Sequence, residues 1–512
     1  MTEATMATAA AANNAPLVGE KGLKAGALGY LSNVVIGVAS TAPAYSLAAT
    51  LGFVVAVKGI GTHAPAVLIV AFLPMLLIAA AYKYLNRADP DCGTTFAWTT
   101  RAMGPYVGWI NGWAIFVADV IVMASLSVIA STYTYLLFGW NSAANSTAAI
   151  IIGSVVWIVL MTWICYRGIE LSARTQLFLL SAEIAILGIF AIVAIAKTYT
   201  GSPTGSLHVS ASWFNPFDLG FGSLVDALLL AIFIYWGWDS GVAVNEESEA
   251  AAEGPGRAAV VSTVILVLVY VIVSTAAQAY GGTKYLVDNS NDVLSVLGTR
   301  VFGSPWDKLL IIAVLTSASA STQTTILPTA RTTLSMARWG AIPEAFGRIH
   351  PRYLTPTFST LGMGALSIVW TVFIVALNPG QNVLGDSISA LGFAVCFYYG
   401  FTGLACAIYF RRELRRNLRV LLLAGVVPLV GCALMFGIFA KAFSYYGTAG
   451  NNYSKPLLGI QVPIVIGVGG LLIGVPLLVL CAARYRAFFR RKPEAAPPGI
   501  LERPVEHASS HF

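Results

Sequence analysis

FIYWGWDSG, residues 233–241, stands in an apolar run that opens with LVDALLLAI (224–232) and continues into VAV (242–244). Two glycines, an aspartate and a serine are out of place in a helix built to face lipid. Whether they interrupt such a helix depends on what solvent the chain as a whole requires. It has 512 residues, 57% hydrophobic and 10% charged, with a mean hydropathy of +0.76. Soluble chains carry about a quarter charged residues. A water-facing surface cannot be assembled from so few, and the bilayer must be the main solvent.

Twelve stretches reach the roughly 20 apolar residues that a helix needs to cross about 30 Å of hydrocarbon. They cover 29–57, 62–83, 107–137, 147–166, 174–197, 223–245, 258–280, 307–330, 356–378, 385–410, 418–440 and 461–483. The net charge of +7 raises the question of an acidic or nucleic-acid partner. Placement answers it. With the N-terminus inside, twenty-three of the thirty Lys and Arg fall on the inner side and seven on the outer, as the positive-inside rule requires. RRELRR (411–416) and RYRAFFRRK (484–492) therefore read as topology signals, with no nucleic acid implied. An odd number of spans would put the basic tail outside. Both termini are expected in the cytoplasm, on a multi-pass protein of the cell membrane.

The flanks are brief. Residues 1–27 lack the basic and apolar regions of a signal peptide and are expected to be a cytoplasmic tail. Residues 486–512 are Pro-rich and charged, and their composition predicts disorder. The six cysteines show no CxxC pattern, and the five histidines lie outside the apolar runs or at their edges. No metal centre or cofactor is implied.

Three acids fall mid-span without a basic partner in the same span: Asp119, Glu183 and Asp239. Each costs about 2.5–3.5 kcal/mol on insertion scales. Low dielectric disfavours the charged form, so each is expected to be protonated, solvated in a cavity or paired with a cation. A buried acid also joins helices as a hydrogen-bond donor, and that structural role stays open for each. The first run, VVIGVASTAPAYSLAA (34–49), is interrupted by Gly37, Ser40, Thr41 and Pro43, and the sixth by Gly237–Gly241. Non-helical backbone at this depth must be buried in protein or line a wet cavity. Interrupted spans five apart point to an inverted repeat with a binding site at the breaks. Half-helix N-termini there suit a carboxylate and C-termini suit an ammonium or sodium ion, a pair that a zwitterion matches. Tyr235, Trp236 and Trp238 flank the second break, either to close over a substrate or to pack against neighbouring helices.

Four blocks carry a family resemblance: NRADPDCGTTFAWTTRAMGPYVGWINGW (86–113), YRGIELSARTQ (166–176), FIYWGWDSGVAVNEES (233–248) and ARTTLSMARWGAIPEAFGRIHPRYLTP (330–356). In this order they resemble the amino acid–polyamine–organocation superfamily of permeases over nearly the whole chain. In the third block Trp238, Asp239, Glu246 and Glu247 match the family pattern. The resemblance implies an all-α integral membrane protein of twelve transmembrane helices. The expected fold is leucine-transporter-like, with two inverted five-helix repeats (about 28–200 and 222–412) and two extra helices (about 417–484) in a domain spanning 28–485.

It also implies a secondary active transporter rather than an enzyme. An amino acid or small amine would move by alternating access, coupled to protons or sodium. By position Gly37, Val38, Ala39, Ser40 and Thr41 correspond to the unwound segment of span one. Tyr235, Trp236, Gly237, Trp238 and Asp239 correspond to that of span six, and Asp119 falls among span-three positions that approach substrate. IGVAS (36–40) departs from the glycine-rich family motif. Glu183 lies near a position where many proton-coupled bacterial relatives carry lysine, and it is the expected ion-coupling residue. Obligate exchange, and a membrane sensor that binds without transporting, remain alternatives.

Overall fold

A chain in hydrocarbon must satisfy its backbone internally, which leaves helices for sequences of this pattern. The computed structural model of the protein describes residues 17–290, 292–377, 382–448, 450–452 and 454–501. Among these residues every regular element is helical, joined by a few isolated bridges.

Span 1 is two helices, α1 (Tyr30–Ser40) and α2 (Pro43–Ala56). Span 2 is α3 (Ala64–Ala88), followed by the short α4 (Thr95–Met103). Spans 3, 4 and 5 are α5 (Pro105–Leu137), α6 (Thr147–Arg167) and α7 (Ile169–Gly201). Span 6 comprises α8 (Phe221–Ala231), a 3-10 turn (Phe233–Tyr235) and α9 (Ser240–Ala243). Spans 7 and 8 are α10 (Gly254–Asp288) and α12 (Lys308–Arg338), with α11 (Val293–Phe302) between them. Spans 9 to 12 are α13 (Thr357–Leu377), α14 (Asn382–Tyr409), α15 (Val427–Gly447) and α16 (Val462–Arg484). Eleven crossings are long and apolar enough by themselves, and the pair in span 6, bent by 41°, supplies the twelfth.

Burial shows which crossings form the core. In the most apolar eighteen-residue stretch, 94% of residues are buried in span 1 and 89% in span 3, against 17% in span 12. Spans 8 and 10 are each 72% buried by the same measure. Spans 1, 3, 8 and 10, with the buried break of span 6, thus make the interior, and the outer helices carry large exposed apolar side chains such as Phe178 and Leu480.

Two expectations are corrected. The backbone of span 1 does not unwind from Gly37. Gly37 to Ser40 are helical, and the break is confined to Thr41 and Ala42, the latter left-handed at φ 47°. Gly37 instead permits close approach: a Cβ there would lie 2.6 Å from Ser262 Oγ and 3.1 Å from the Trp238 carbonyl oxygen. Pro43 opens α2 at a position where its missing N–H costs nothing. The C-terminal residues up to 501 are ordered against the body. Phe488 and Phe489 on α17 (Arg486–Phe489) are buried beside Phe96 and Trp109, and the Ala496 N–H donates to the Tyr409 carbonyl at 2.9 Å. The remainder of that tail lies outside the described residues.

Both tails meet on one face. Arg101 pairs with Asp89 and also with Glu494 of the C-terminal segment. Lys21 of the N-terminal segment pairs with Asp91, two residues from Asp89. An even number of crossings requires this.

Candidate functional site

The two breaks face each other. Ser40 Oγ at the end of α1 lies 2.8 Å from Ser240 Oγ at the start of α9. Gly237, at φ 118°, turns the chain where a Cβ would sit 2.8 Å from the Ser40 carbonyl oxygen, so both conformation and space demand glycine. The carbonyls freed by the break in span 1 are met by hydroxyls. Thr41 Oγ1 donates to Val38 O at 2.7 Å, Ser46 Oγ to Thr41 O at 2.7 Å, and Ser321 Oγ of α12 to Ser40 O at 2.7 Å. Val38, Ala39, Ser40 and Thr41 are all buried.

Glu183, on α7, reaches the other side of the same break. Its Oε1 accepts the Ala44 N–H at 2.7 Å, and Ser317 Oγ accepts the Tyr45 N–H at 3.2 Å. The first N–H groups of a helix have no internal acceptor and carry partial positive charge. A carboxyl group and a hydroxyl of α12 therefore cap α2 from two neighbouring spans. Glu183 is fully buried, and its Oε2 has no hydrogen-bond partner among the described residues.

Asp239 sits among tyrosines. Tyr399 donates at 2.9 Å, Tyr398 at 3.0 Å and Tyr82 at 3.4 Å to its carboxyl oxygens. Trp238 is buried, stacked on Tyr399 with centroids 5.3 Å apart. Trp236 Nε1 donates to the Tyr398 hydroxyl at 2.5 Å, and the Tyr235 hydroxyl donates to Leu68 O at 2.9 Å. Of the three aromatic residues at this break, Tyr235 and Trp238 are fully enclosed and Trp236 nearly so. Asp119, within electrostatic range of Asp239, is held by a different span. It accepts from Thr329, eight residues beyond Ser321 on α12, which is about 12 Å of helix. Spans 1, 5, 6 and 8 thus converge at the breaks, while Asp119 lies toward the face that carries the tails.

That face is closed. The Leu28 N–H donates to Glu247 O at 3.0 Å and the Glu249 N–H to Leu28 O at 2.9 Å. Arg331 and Glu247, both fully buried, form a two-pronged pair at 2.9 and 3.0 Å. Because α12 runs on to Arg338, Arg331 lies inside a span helix, although the sequence puts it at a span's edge. Lys21 Nζ sits 2.8 Å from Asp91 and 2.5 Å from Glu246. The oxygens of those two acids and Cys92 Sγ lie within 4.8 Å of one another, the spacing of a cation site. The Lys21 ammonium, also 3.9 Å from Cys92 Sγ, already supplies the cation. Burial works to raise the Asp91 pKa, but Lys21, helped by Ser335 and the Gly93 N–H, holds the carboxyl below its ordinary value. Burial opposes the charge on Lys21, and Cys92, Asp91 and Glu246 carry its pKa above that of an ordinary lysine.

Sequence reasoning did not find Tyr82, Tyr398, Tyr399 or Thr329, nor the Lys21 cluster. The hydroxyl-rich SASASTQTT (317–325) was the available signal for span 8, and the paired Glu246 and Glu247 were the signal for the closed face.

The comparisons with known proteins give the family. A family model described as amino acid permease matches residues 28–471. The chain is 22% identical over 444 residues to the branched-chain amino acid permease of Bacillus subtilis (strain 168), covering 82% of this chain and 88% of the relative. It is 24% identical over 369 residues to an uncharacterised transporter of Mycobacterium tuberculosis, 70% and 76% of the two chains. It is 22% identical over 336 residues to the arginine/ornithine antiporter of Latilactobacillus sakei, 63% and 67% of the two.

Proposed function

The chain belongs to the amino acid permease family, and we propose that it carries an amino acid or related small amine across the cytoplasmic membrane by alternating access, coupled to protons through Glu183. The observation that carries this reading is the contact between that carboxyl group and the N-terminus of α2. Ionised, Glu183 complements the partial positive charge of the half-helix. Taking up a proton weakens that hold and frees α2 to move against α7 and α12. Proton arrival and helix movement thereby become one equilibrium, which is what coupling requires.

The substrate belongs between the breaks. The carbonyl end of α1 suits an ammonium group. The N–H groups of Gly237 and Trp238 have no backbone acceptor among the described residues, and consecutive free N–H groups suit a carboxylate. In this reading the tail-bearing face is cytoplasmic, and Asp119 of span 3, between the breaks and that face, meets the substrate. There it favours substrates that bear an amine. Asp239, enclosed by three tyrosines, stabilises the broken span 6. The seal of Lys21, Asp91, Glu246, Glu247 and Arg331 shuts the inner side until span 1 moves.

The test is uptake into proteoliposomes from a mixed pool of labelled amino acids and polyamines, with and without an inward proton gradient. Accumulation driven by the gradient, lost in Glu183→Gln while counterflow exchange persists, supports the reading. Accumulation that follows a sodium gradient overturns the choice of ion. Uptake only into preloaded liposomes makes the protein an obligate exchanger, and binding without any uptake makes it a sensor.

A further inference from the structure

A cleft of about 320 Å³ opens on the tail-bearing face, away from the breaks. Three separate stretches of chain build it. Lys24 comes from the segment before α1, Arg167, Glu170 and Arg174 from the junction of α6 and α7, and Arg352 and Tyr353 from the link between α12 and α13. Its lining thus has four basic side chains and one acidic one. Lys24 pairs with Glu170 at 2.7 Å. Arg167, Arg174 and Arg352 have no carboxylate within ion-pair distance among the described residues. The Arg167 guanidinium is 5.1 Å from the ring centre of Trp163 and 5.1 Å from that of Tyr353, and Arg352 is 5.7 Å from the same tyrosine ring. Two like charges share one aromatic ring, an arrangement that an anion between them stabilises.

The backbone adds to this. α7 begins at Ile169 in the wall of the cleft, and its cap residue, Gly168, offers no side chain to the first N–H groups. An anion in the cleft receives those donors together with the guanidiniums. The surroundings identify the kind of anion. Leu171, Arg174 and Phe178 follow at helical spacing on one face of α7. Leu171 lines the cleft, and Phe178, 72% exposed, continues the stripe down the lipid-facing surface. Trp163 on α6 and Leu361 on α13 are also large, apolar and exposed. A free phosphate ion would use the basic groups alone. A phospholipid would use both the basic groups and the apolar stripe.

We propose that this cleft is a binding site for the headgroup of an anionic phospholipid, its phosphate held by Arg167, Arg174, Arg352 and the N-terminus of α7, its acyl chains lying along Leu171 and Phe178. The site is separate from the substrate path and joins the N-terminal segment to spans 4, 5, 8 and 9.

The experiment is native mass spectrometry of the full-length protein in detergent, titrated with phosphatidylglycerol or phosphatidylcholine. The wild type is expected to hold phosphatidylglycerol at least tenfold more tightly than phosphatidylcholine. The Arg167→Gln/Arg174→Gln/Arg352→Gln variant is expected to lose at least tenfold in phosphatidylglycerol affinity. Arg412→Gln/Arg415→Gln, which removes exposed charges elsewhere on the same face, is expected to stay within twofold of wild type. A triple arginine-to-lysine variant that retains binding separates loss of the site from loss of the fold. Equal binding by wild type and the glutamine triple overturns the proposal, as does equal loss in the control. Displacement of phosphatidylglycerol by millimolar inorganic phosphate alone also overturns it, since the site would then hold a free anion.

Discussion

The buried pair of Arg331 and Glu247 ties the end of span 6 to span 8, beneath the breaks, and gives a quantitative prediction. Both side chains are fully buried and joined by two hydrogen bonds. Removing one partner leaves an uncompensated charge in a dry site, at a cost of about 3–5 kcal/mol, while replacing both by apolar residues of similar volume is often neutral or better. Glu247→Leu and Arg331→Met should therefore each destabilise by about 3–5 kcal/mol. The double variant should be far closer to wild type, because it also removes the Arg331 Nη1 group, which has no hydrogen-bond partner among the described residues. The coupling energy from the four proteins is expected to exceed about 3 kcal/mol, at the upper end of values for contacting residues. Unfolding in mixed micelles with increasing dodecyl sulfate measures it. Additivity within about 0.5 kcal/mol would refute the reasoning, because neither charge would then depend on the other.

Gly237→Ala forces a side chain into a left-handed backbone, at roughly 1–3 kcal/mol, and pushes its Cβ against the Ser40 carbonyl, at roughly another 1–3 kcal/mol. Uptake should fall at least tenfold while the protein stays monodisperse, and near-normal uptake would mean that the breaks do not touch as described. Tyr399→Phe and Tyr398→Phe each delete a close hydroxyl from Asp239, worth about 1.5–3 kcal/mol if the acceptor is charged. Tyr82→Phe, whose hydroxyl is at 3.4 Å, should cost less, and the reverse order of unfolding midpoints would contradict the geometry. The Lys21–Asp91 pair should be insensitive to pH through the physiological range. Asp91, held below its ordinary value, contributes stability above about pH 4 and loses it only as pH falls through its lowered pKa. Lys21, held above its ordinary value, contributes below about pH 10 and loses it only as pH rises through its raised pKa. Wild-type stability should thus show no titration of this pair between pH 5 and 9. Lys21→Met leaves burial unopposed and raises the Asp91 pKa, so the ratio of variant to wild-type uptake should change toward acid pH. A ratio constant from pH 5 to 9 would show that Lys21 does not hold Asp91 down.

The crossings were legible because a run of about 20 apolar residues has one physical use, and the break in span 6 because Gly237 falls between half-helices that are each too short to cross alone. The start of the break in span 1 was not. A glycine that unwinds a helix and one that admits a neighbour look alike in sequence. Only Ser262 and Trp238, brought against Gly37 by the fold, tell them apart. The tyrosines around Asp239 come from spans 2 and 10, and no local pattern connects positions 82, 398 and 399. Composition misjudged residues 486–501 of the C-terminal tail for a related reason. Proline and charge indicate disorder, but two adjacent phenylalanines and a ready apolar surface at Phe96 and Trp109 suffice to dock it. The acids were found at once, because charge in hydrocarbon is conspicuous. Which acid meets a half-helix and which meets a ring of hydroxyls was settled only in three dimensions.

The central claim is that Glu183 joins proton movement to the movement of α2, and substrate-driven proton flux tests it most directly. Protein in liposomes without an imposed gradient, loaded with a pH-sensitive dye, receives saturating external substrate. The wild type should acidify the lumen as substrate enters, and Glu183→Gln should admit substrate by exchange with no pH change. Equal acidification by both proteins would contradict the account, for the proton would then travel by a route that does not include Glu183.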